Sequence, residues 1–377
     1  MRAEAARCAG TMEGRRRSAV RGALAVTFGA VAAGVGAGVG PPRVQSGDVG
    51  VAAVLGLGAL VGGVALVVVG VVQLTRAVPR WWRLVTAPLT VIAVALGVYV
   101  IAVPVIVTTA PAPPPGTATP SEVGLAYEDV TIATTGDEAL AGWYVPSAGS
   151  AAVIVLHGSG SSRSAVLEHA AVMARHGLGV LMLDARGHGA SSGRAMRWGW
   201  YGDLDVPRAA AWLASRPDVD AARIAVLGLS MGGEEAIGAA ALTQDIRAVV
   251  AEGATGRSAD DLRWLSSAYG WRGTLTRTVH AAQTSLADLM SEPRRPAPLG
   301  DAVREVAPRP VLLIAAGRVP DEQHAAAALQ ASAPDSVQVW VVRGADHTGG
   351  LAAAPQEWES RVIDFLDAAL ADPHASR

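Results

Sequence analysis

The chain has 377 residues, 31 Lys and Arg against 33 Asp and Glu, and 51% hydrophobic residues. A net charge of −2 excludes a bulk electrostatic case for binding nucleic acid. Every Lys/Arg-type cation is Arg, and neither Lys nor Asn occurs, a bias that points to a GC-rich, bacterial genome and removes any N-glycosylation sequon. Cys8 is the single cysteine, which excludes an intramolecular disulfide. The eight His are scattered, with no HExxH and no CxxC, so neither metal nor cofactor is expected.

The apolar excess lies in residues 1–110. Three runs, Val20–Gly40, Val49–Leu74 and Leu84–Ala110, approach or exceed the ~20 residues that cross a bilayer as a helix. The second and third contain no Asp, Glu or Arg. The first carries six Gly and has Arg21 at its edge. It reads as a first span, with a signal peptide whose basic start is Arg15, Arg16 and Arg17 as the alternative. Arg2, Arg7, Arg15, Arg16, Arg17 and Arg21 lie before or at the first run, and Arg76, Arg80 and Arg83 follow the second. The intervening loop has only Arg43. The positive-inside rule then puts the N-terminus and the second loop in the cytoplasm, and all that follows the third span outside it. The expectation is a multi-pass protein of the cell membrane, partnered by the lipid bilayer. Trp81 and Trp82 fit an interfacial anchor, and Gly36/Gly40 and Gly58/Gly62 have the spacing that lets helices pack closely. The Pro-rich stretch 111–120 stops the third helix and reads as an extended linker. A folded domain is expected over 121–377.

That domain opens with two short strands, Tyr127–Ala133 and Leu140–Val145, around a turn at Thr134–Gly136. Buried apolar runs follow: Ala152–Leu156, Gly179–Leu183, Ile224–Leu227, Ala248–Ala251, Val311–Ala315 and Val337–Val342. Between them fall helical stretches, Ser164–His176, Asp203–Ser215, Met231–Ala241 and Asp321–Ala331, and Glu357–Ala371 closes the chain. Alternation of this kind predicts an α/β fold, with a mostly parallel sheet covered on both faces. Residues 253–307 interrupt it, carrying Trp264, Tyr269, Trp271 and Met290. They read as a small helical cap near the strand C-termini, where open α/β sheets bind ligands; the alternative is an excursion packed on the core.

The sharpest motif is Gly228-Leu229-Ser230-Met231-Gly232, set between a strand and a helix. A strained strand-to-helix turn lifts the hydroxyl of Ser230 clear of the sheet and needs small neighbours. Serine is a weak nucleophile unless a base, held by an acid, removes its proton. His347, in the loop after the last strand, stands where that base belongs. The acid belongs after the strand Val311–Ala315, where Glu322 leads over Asp321, which also suits a helix N-cap. Glu252, at an earlier strand end, is the third candidate. Charge developing on the substrate oxygen calls for backbone donors, here the N–H groups of Met231 and of Ser159 in His157-Gly158-Ser159-Gly160, with His157 as a structural ring. Asp184 and His188, in a Gly-rich turn, read as loop-fixing side chains rather than a metal pair.

With HGSG at His157–Gly160, DARGHG at Asp184–Gly189, GLSMGG at Gly228–Gly233 and GADHTGG at Gly344–Gly350, the chain resembles the α/β-hydrolase superfamily. In spacing it is similar to the dienelactone-hydrolase-like and serine-aminopeptidase-like groups, from Tyr127 to Leu370. The resemblance implies an eight-stranded, mostly parallel sheet and acyl transfer through an acyl-enzyme. One position departs from it: Pro320 stands where the family loop often has Asp, which leaves the acid open. The expected activity is hydrolysis of a small carboxylic ester at Ser230. The alternatives are a serine peptidase or amidase, for which Glu234, Glu235 or Asp260 would hold a substrate amine, and a noncatalytic binding module.

Overall fold

A long apolar run can satisfy its own backbone groups by coiling into a helix, and the first third of the chain forms three helices: α1 (Arg2–Gln45), α2 (Val51–Ala77) and α3 (Arg83–Thr109). The computed structural model describes residues 2–371, with side chains from Glu13 onward; the side chains of Arg2, Arg7 and Cys8 lie outside the described residues. Glu13–Gln45, Val51–Ala77 and Arg80–Thr109 are each long and apolar enough to be candidate membrane spans. The chain divides into two compact units, Met1–Pro111 with Ala282–Met290, and Ala112–Ala281 with Ser291–Arg377.

In the first unit α1 and α2 pack antiparallel along a glycine seam. A Cβ at Gly22 would lie 2.9 Å from the Gly70 carbonyl, and one at Gly29 2.8 Å from that of Gly63. One at Gly36 would lie 2.6 Å from the Gly56 carbonyl, so both helices place glycine at seven-residue spacing. The GxxxG reading is corrected here: Gly36 and Gly40 lie in the seam, whereas Gly58 and Gly62 face open space. Antiparallel packing gathers Arg15, Arg16, Arg17 and Arg21 at the end where α2 finishes with Arg76. At the other end Arg43 pairs with Asp48 at 2.6 Å and its Nη2 donates to the Thr109 carbonyl at 3.5 Å.

In the second unit eight strands form one sheet: β1 (Glu128–Ala133), β2 (Ala139–Val145), β3 (Ala152–Leu156), β4 (Gly179–Leu183), β5 (Ile224–Leu229), β6 (Ile246–Glu252), β7 (Val311–Ala316) and β8 (Val337–Val342). Their order is β1-β2-β4-β3-β5-β6-β7-β8, with only β2 antiparallel to its neighbours. The helices are α4 (Leu167–Arg175), α5 (Gly202–Ala214), α6 (Met231–Leu242), α7 (Trp264–Met290), α8 (Leu299–Val306), α9 (Pro320–Ser332), α10 (Gly350–Ala353) and α11 (Pro355–Ala369). Strand side chains alternate faces, so Ala152, Ile154 and Leu156 enter one core with α5, α6, α8 and α9, while Val153 and Val155 enter another with α4 and α11.

Register positions the site. Leu156 lies beside Gly228, Leu229 beside Glu252, and Glu252 beside Ile314. The loops after β3, β5, β6, β7 and β8 therefore open on one edge of the sheet. The stretch 112–119 departs from a free linker: the Gly189 N–H donates to the Pro113 carbonyl at 3.0 Å, the Gly116 N–H to Ser162 Oγ at 3.1 Å, and Ser164 Oγ to the Ala118 carbonyl at 2.9 Å. Order in this unit thus begins before Ser121.

Candidate active site

Ser230 follows β5 and is the N-cap of α6, with φ 54° and ψ −118°, a sparsely populated conformation that costs about 1–3 kcal/mol. Its surroundings enforce it. The Ser230 N–H donates to the Glu252 carbonyl at 2.7 Å, and the Ser230 carbonyl accepts from the Gly233 N–H at 2.9 Å. A Cβ at Gly228 would collide with the Gly232 carbonyl, and one at Gly232 would lie 2.6 Å from that of Leu156. Both collisions are with backbone, which cannot step aside.

His347, in the loop after β8, points its Nε2 at Ser230 Oγ, 2.8 Å away, and its Nδ1 at Glu322 Oε1, 2.6 Å away. The Glu322 side chain is 1% exposed against 51% for His347, and its other oxygen accepts from the Ala316 N–H at 2.7 Å. With the carboxylate on Nδ1, the proton belongs there, and Nε2 faces the hydroxyl as acceptor. The hydrogen bond to Glu322 holds the His347 pKa above the ordinary histidine value, against partial burial that pulls it down. Gly253 lets the ring come this close, since a Cβ there would lie 3.0 Å from His347 Cε1. On the other side a Cβ at Gly158 would lie 3.4 Å from Ser230 Cβ, so the His157–Gly160 loop borders the hydroxyl.

A family model described as "Serine aminopeptidase, S33" matches residues 148–297. An uncharacterized protein of Mycobacterium tuberculosis is 41% identical over 123 residues, 32% of this chain and 43% of that protein. An α/β hydrolase domain-containing protein of Arabidopsis thaliana, WAV2, is 30% identical over 125 residues, 32% of this chain and 39% of that protein. The chain thus spans less than half the length of these curated relatives. The solved structure of the Pyrococcus furiosus esterase Pf2001 aligns with a TM-score of 0.56 at 26% identity, covering 70% of this chain and 99% of the esterase. This chain has the α/β-hydrolase fold.

Two acids weighed beside Glu322 point elsewhere in this fold. Asp321 Oδ1 accepts from Tyr269 Oη at 2.6 Å. Nor is Asp321 the N-cap: that position is Val319, with Pro320 as the first helical residue. A proline there has no N–H to satisfy and a φ already suited to the helix. Trp264 stacks on His324 at 5.7 Å between ring centroids, so the insertion is latched to α9 beside Glu322. Glu252 is 2% exposed and accepts from the Gly350 N–H at 2.7 Å and from Trp358 Nε1 at 2.9 Å. It fastens the loop carrying His347 to the end of β6. Burial raises its pKa.

Among the peptidase candidates, Glu234 is buried, accepts from the Thr255 and Gly256 N–H groups at 3.2 and 2.8 Å, and is raised by burial to about 7. Glu235 lies buried against Gly199 and Gly202, and Asp260 pairs with Arg263 at 3.2 Å. In the Asp184–Gly189 turn the Asp184 carboxylate accepts the Arg163 and Ala190 N–H groups at 2.7 and 2.9 Å. The His157 ring bridges the Gly158 carbonyl at 2.8 Å and the Ala185 N–H at 3.0 Å, and burial lowers its pKa, so it is a neutral strut. Sequence reasoning missed the clamp by Trp358, and the buried pairs Arg257–Asp203 and Arg186–Asp205. No local pattern marks pairs formed between residues 19 and 54 positions apart.

Glu252 yields a test of positioning. Glutamine has one acceptor oxygen where two donors converge, so Glu252→Gln leaves one buried N–H unpaired, at a cost of about 1–3 kcal/mol. The melting temperature should fall. If ester turnover is present, kcat should drop roughly tenfold with KM held, because the base and not the substrate is displaced. An unchanged kcat in a destabilised protein would make Glu252 structural only.

Proposed function

We propose that this protein is a membrane-anchored serine hydrolase that cleaves carboxylic esters, with Ser230 as nucleophile, His347 as general base and Glu322 as the acid that orients it. The observation that carries the reading is the continuous hydrogen-bonded chain from Glu322 through His347 to Ser230. In the reaction His347 Nε2 takes the hydroxyl proton as Ser230 Oγ attacks the ester carbonyl. The tetrahedral oxyanion is received by the Met231 N–H, which as first residue of α6 has no helical acceptor, and by the Ser159 N–H. His347 then returns the proton to the departing alcohol, and water repeats the sequence to free the acid. The similarity to the Pyrococcus furiosus esterase supports an ester over an amide, and so does the engagement of Glu234, Glu235 and Asp260 elsewhere. The test is labelling of the folded, full-length protein with a fluorophosphonate alongside p-nitrophenyl butyrate turnover; a folded protein that does neither overturns the proposal.

The three candidate spans support an anchor in the bilayer with the catalytic unit outside the cytoplasm. The basic residues gather at the end of the first unit shared by the start of α1 and the end of α2, and α3 leaves from the opposite end, beside Arg43. Alkaline phosphatase fused after residue 371 should be active and β-galactosidase inactive. The reverse pattern would put the enzyme in the cytoplasm.

A further inference from the structure

Glu234 takes no part in the triad, yet it sits one turn along the nucleophile's own helix, where its N–H donates to the Ser230 carbonyl at 3.1 Å. An acid facing water there would need no further account, since the first turn of a helix favours negative charge. Glu234 is instead buried, at 7% exposed, and a buried carboxyl costs free energy unless donors meet it. One of its oxygens is met twice: Oε1 accepts the Gly256 N–H at 2.8 Å and the Thr255 N–H at 3.2 Å.

Those two amides belong to a stretch that needs holding. Gly253-Ala254-Thr255-Gly256 leaves the end of β6 with φ of +74° at Gly253 and +149° at Gly256, and glycine brings backbone freedom that fixed partners must remove. Upstream, the Gly253 N–H donates to the Ile314 carbonyl at 2.9 Å. Downstream, the Arg257 and Ser258 N–H groups turn to Asp261 Oδ2 at 3.1 and 2.9 Å. Between those points Glu234 ties the stretch to α6. The same stretch is the wall behind the base, for a Cβ at Gly253 would lie 3.0 Å from His347 Cε1 and 3.1 Å from its Nδ1. Cε1 stands between Nδ1 and Nε2 in the ring. If the wall moves, the ring can tilt Nε2 away from Ser230 while Nδ1 stays on Glu322.

We infer that Glu234 is a positioning residue: by tying Thr255 and Gly256 to the helix that follows Ser230, it holds the wall on which His347 leans and keeps Nε2 aligned with Oγ. The inference rests on the esterase reading. The acceptor oxygen carries the role, and the charge is dispensable. Burial raises the Glu234 pKa to about 7, so the site tolerates an uncharged group in this place, and glutamine should fold there.

The experiment uses the full-length protein and p-nitrophenyl butyrate, with each variant measured at its own pH optimum. Glu234→Gln keeps an acceptor oxygen for both amides and should keep kcat close to wild type. Glu234→Met keeps much of the volume, offers no comparable acceptor, and should lower kcat roughly ten- to a hundredfold with KM held, because a displaced base costs rate and not binding. A Glu234→Met protein that melts lower with kcat unchanged makes Glu234 structural only and overturns the inference. So does a kcat loss in Glu234→Gln as large as in Glu234→Met. Amide hydrogen exchange in wild type decides the matter if Glu234→Met does not fold: protected Thr255 and Gly256 amides support the tether, and exchange at the rate of an unstructured chain overturns it. Folded wild type that takes no fluorophosphonate label and turns over no ester overturns the esterase reading with it.

Discussion

Replacing Ser230 by alanine is expected to abolish fluorophosphonate capture and to cut ester turnover by roughly 10⁶-fold. The size follows from what the hydroxyl is asked to do. Without Oγ no acyl-enzyme forms, and the Met231 and Ser159 donors are left to assist water alone. His347→Ala should cost on the same order, because an unassisted serine hydroxyl stays protonated at neutral pH. The double substitution should be no worse than either single one, since the two side chains act as a unit. Neither change should unfold the protein. The φ of 54° at residue 230 is imposed by the Glu252 carbonyl and the Gly228–Gly232 contact, and alanine meets the same constraint. Initial rates on p-nitrophenyl butyrate, with gel labelling and thermal melts on the same preparations, check all of this. Full labelling of His347→Ala would remove that residue from the role of base.

The sheet was legible because its strands are continuous apolar runs bounded by glycine or polar residues. β3, β4 and β8 begin and end where the sequence reading put them. β6 starts earlier, at Ile246, because the exposed Arg247 interrupts the apolar run without ending the strand. The span α7 is two helical segments that meet at a kink, because Gly270 leaves the helical region at φ 58° and ψ −133°. Ser230 and His347 stood out as candidates because each sits in a glycine-flanked loop at a strand end, in chain order. The choice between Asp321 and Glu322 was not local. Successive residues on a helix point about 100° apart, so the phase of α9 decides which carboxylate meets the imidazole, and Pro320 sets that phase by starting the helix one residue early. Asp321 turns to Tyr269, and Glu322 turns inward to Ala316 and His347. The link from Glu252 to Trp358 spans 106 positions and has no sequence signature at all.

Glu322→Gln should lower kcat/KM by roughly 10⁴-fold at pH 8, and the deficit should narrow as the pH falls. The narrowing is the diagnostic part. On the proposed mechanism His347 acts only when neutral, so activity should rise with pH through its pKa, and in wild type the Glu322 hydrogen bond shifts that limb upward from the ordinary histidine value by favouring the charged ring. Glutamine removes the leading cause of the upward shift and leaves partial burial, which acts in the opposite direction, so the limb should move down. At acid pH the variant's base is then neutral while the wild-type base is protonated, and part of the loss is recovered. Stability follows the same linkage with its own sign. A raised folded-state pKa contributes stability that is fully present below the unfolded histidine pKa and is lost as pH rises through the folded value. The melting difference between wild type and Glu322→Gln should therefore be larger at mildly acid pH than at pH 9. A pH–rate profile with an unshifted acid limb would mean that another carboxylate sets the state of the imidazole. Glu234 and Glu252 are the candidates, since the charge of each also bears on His347.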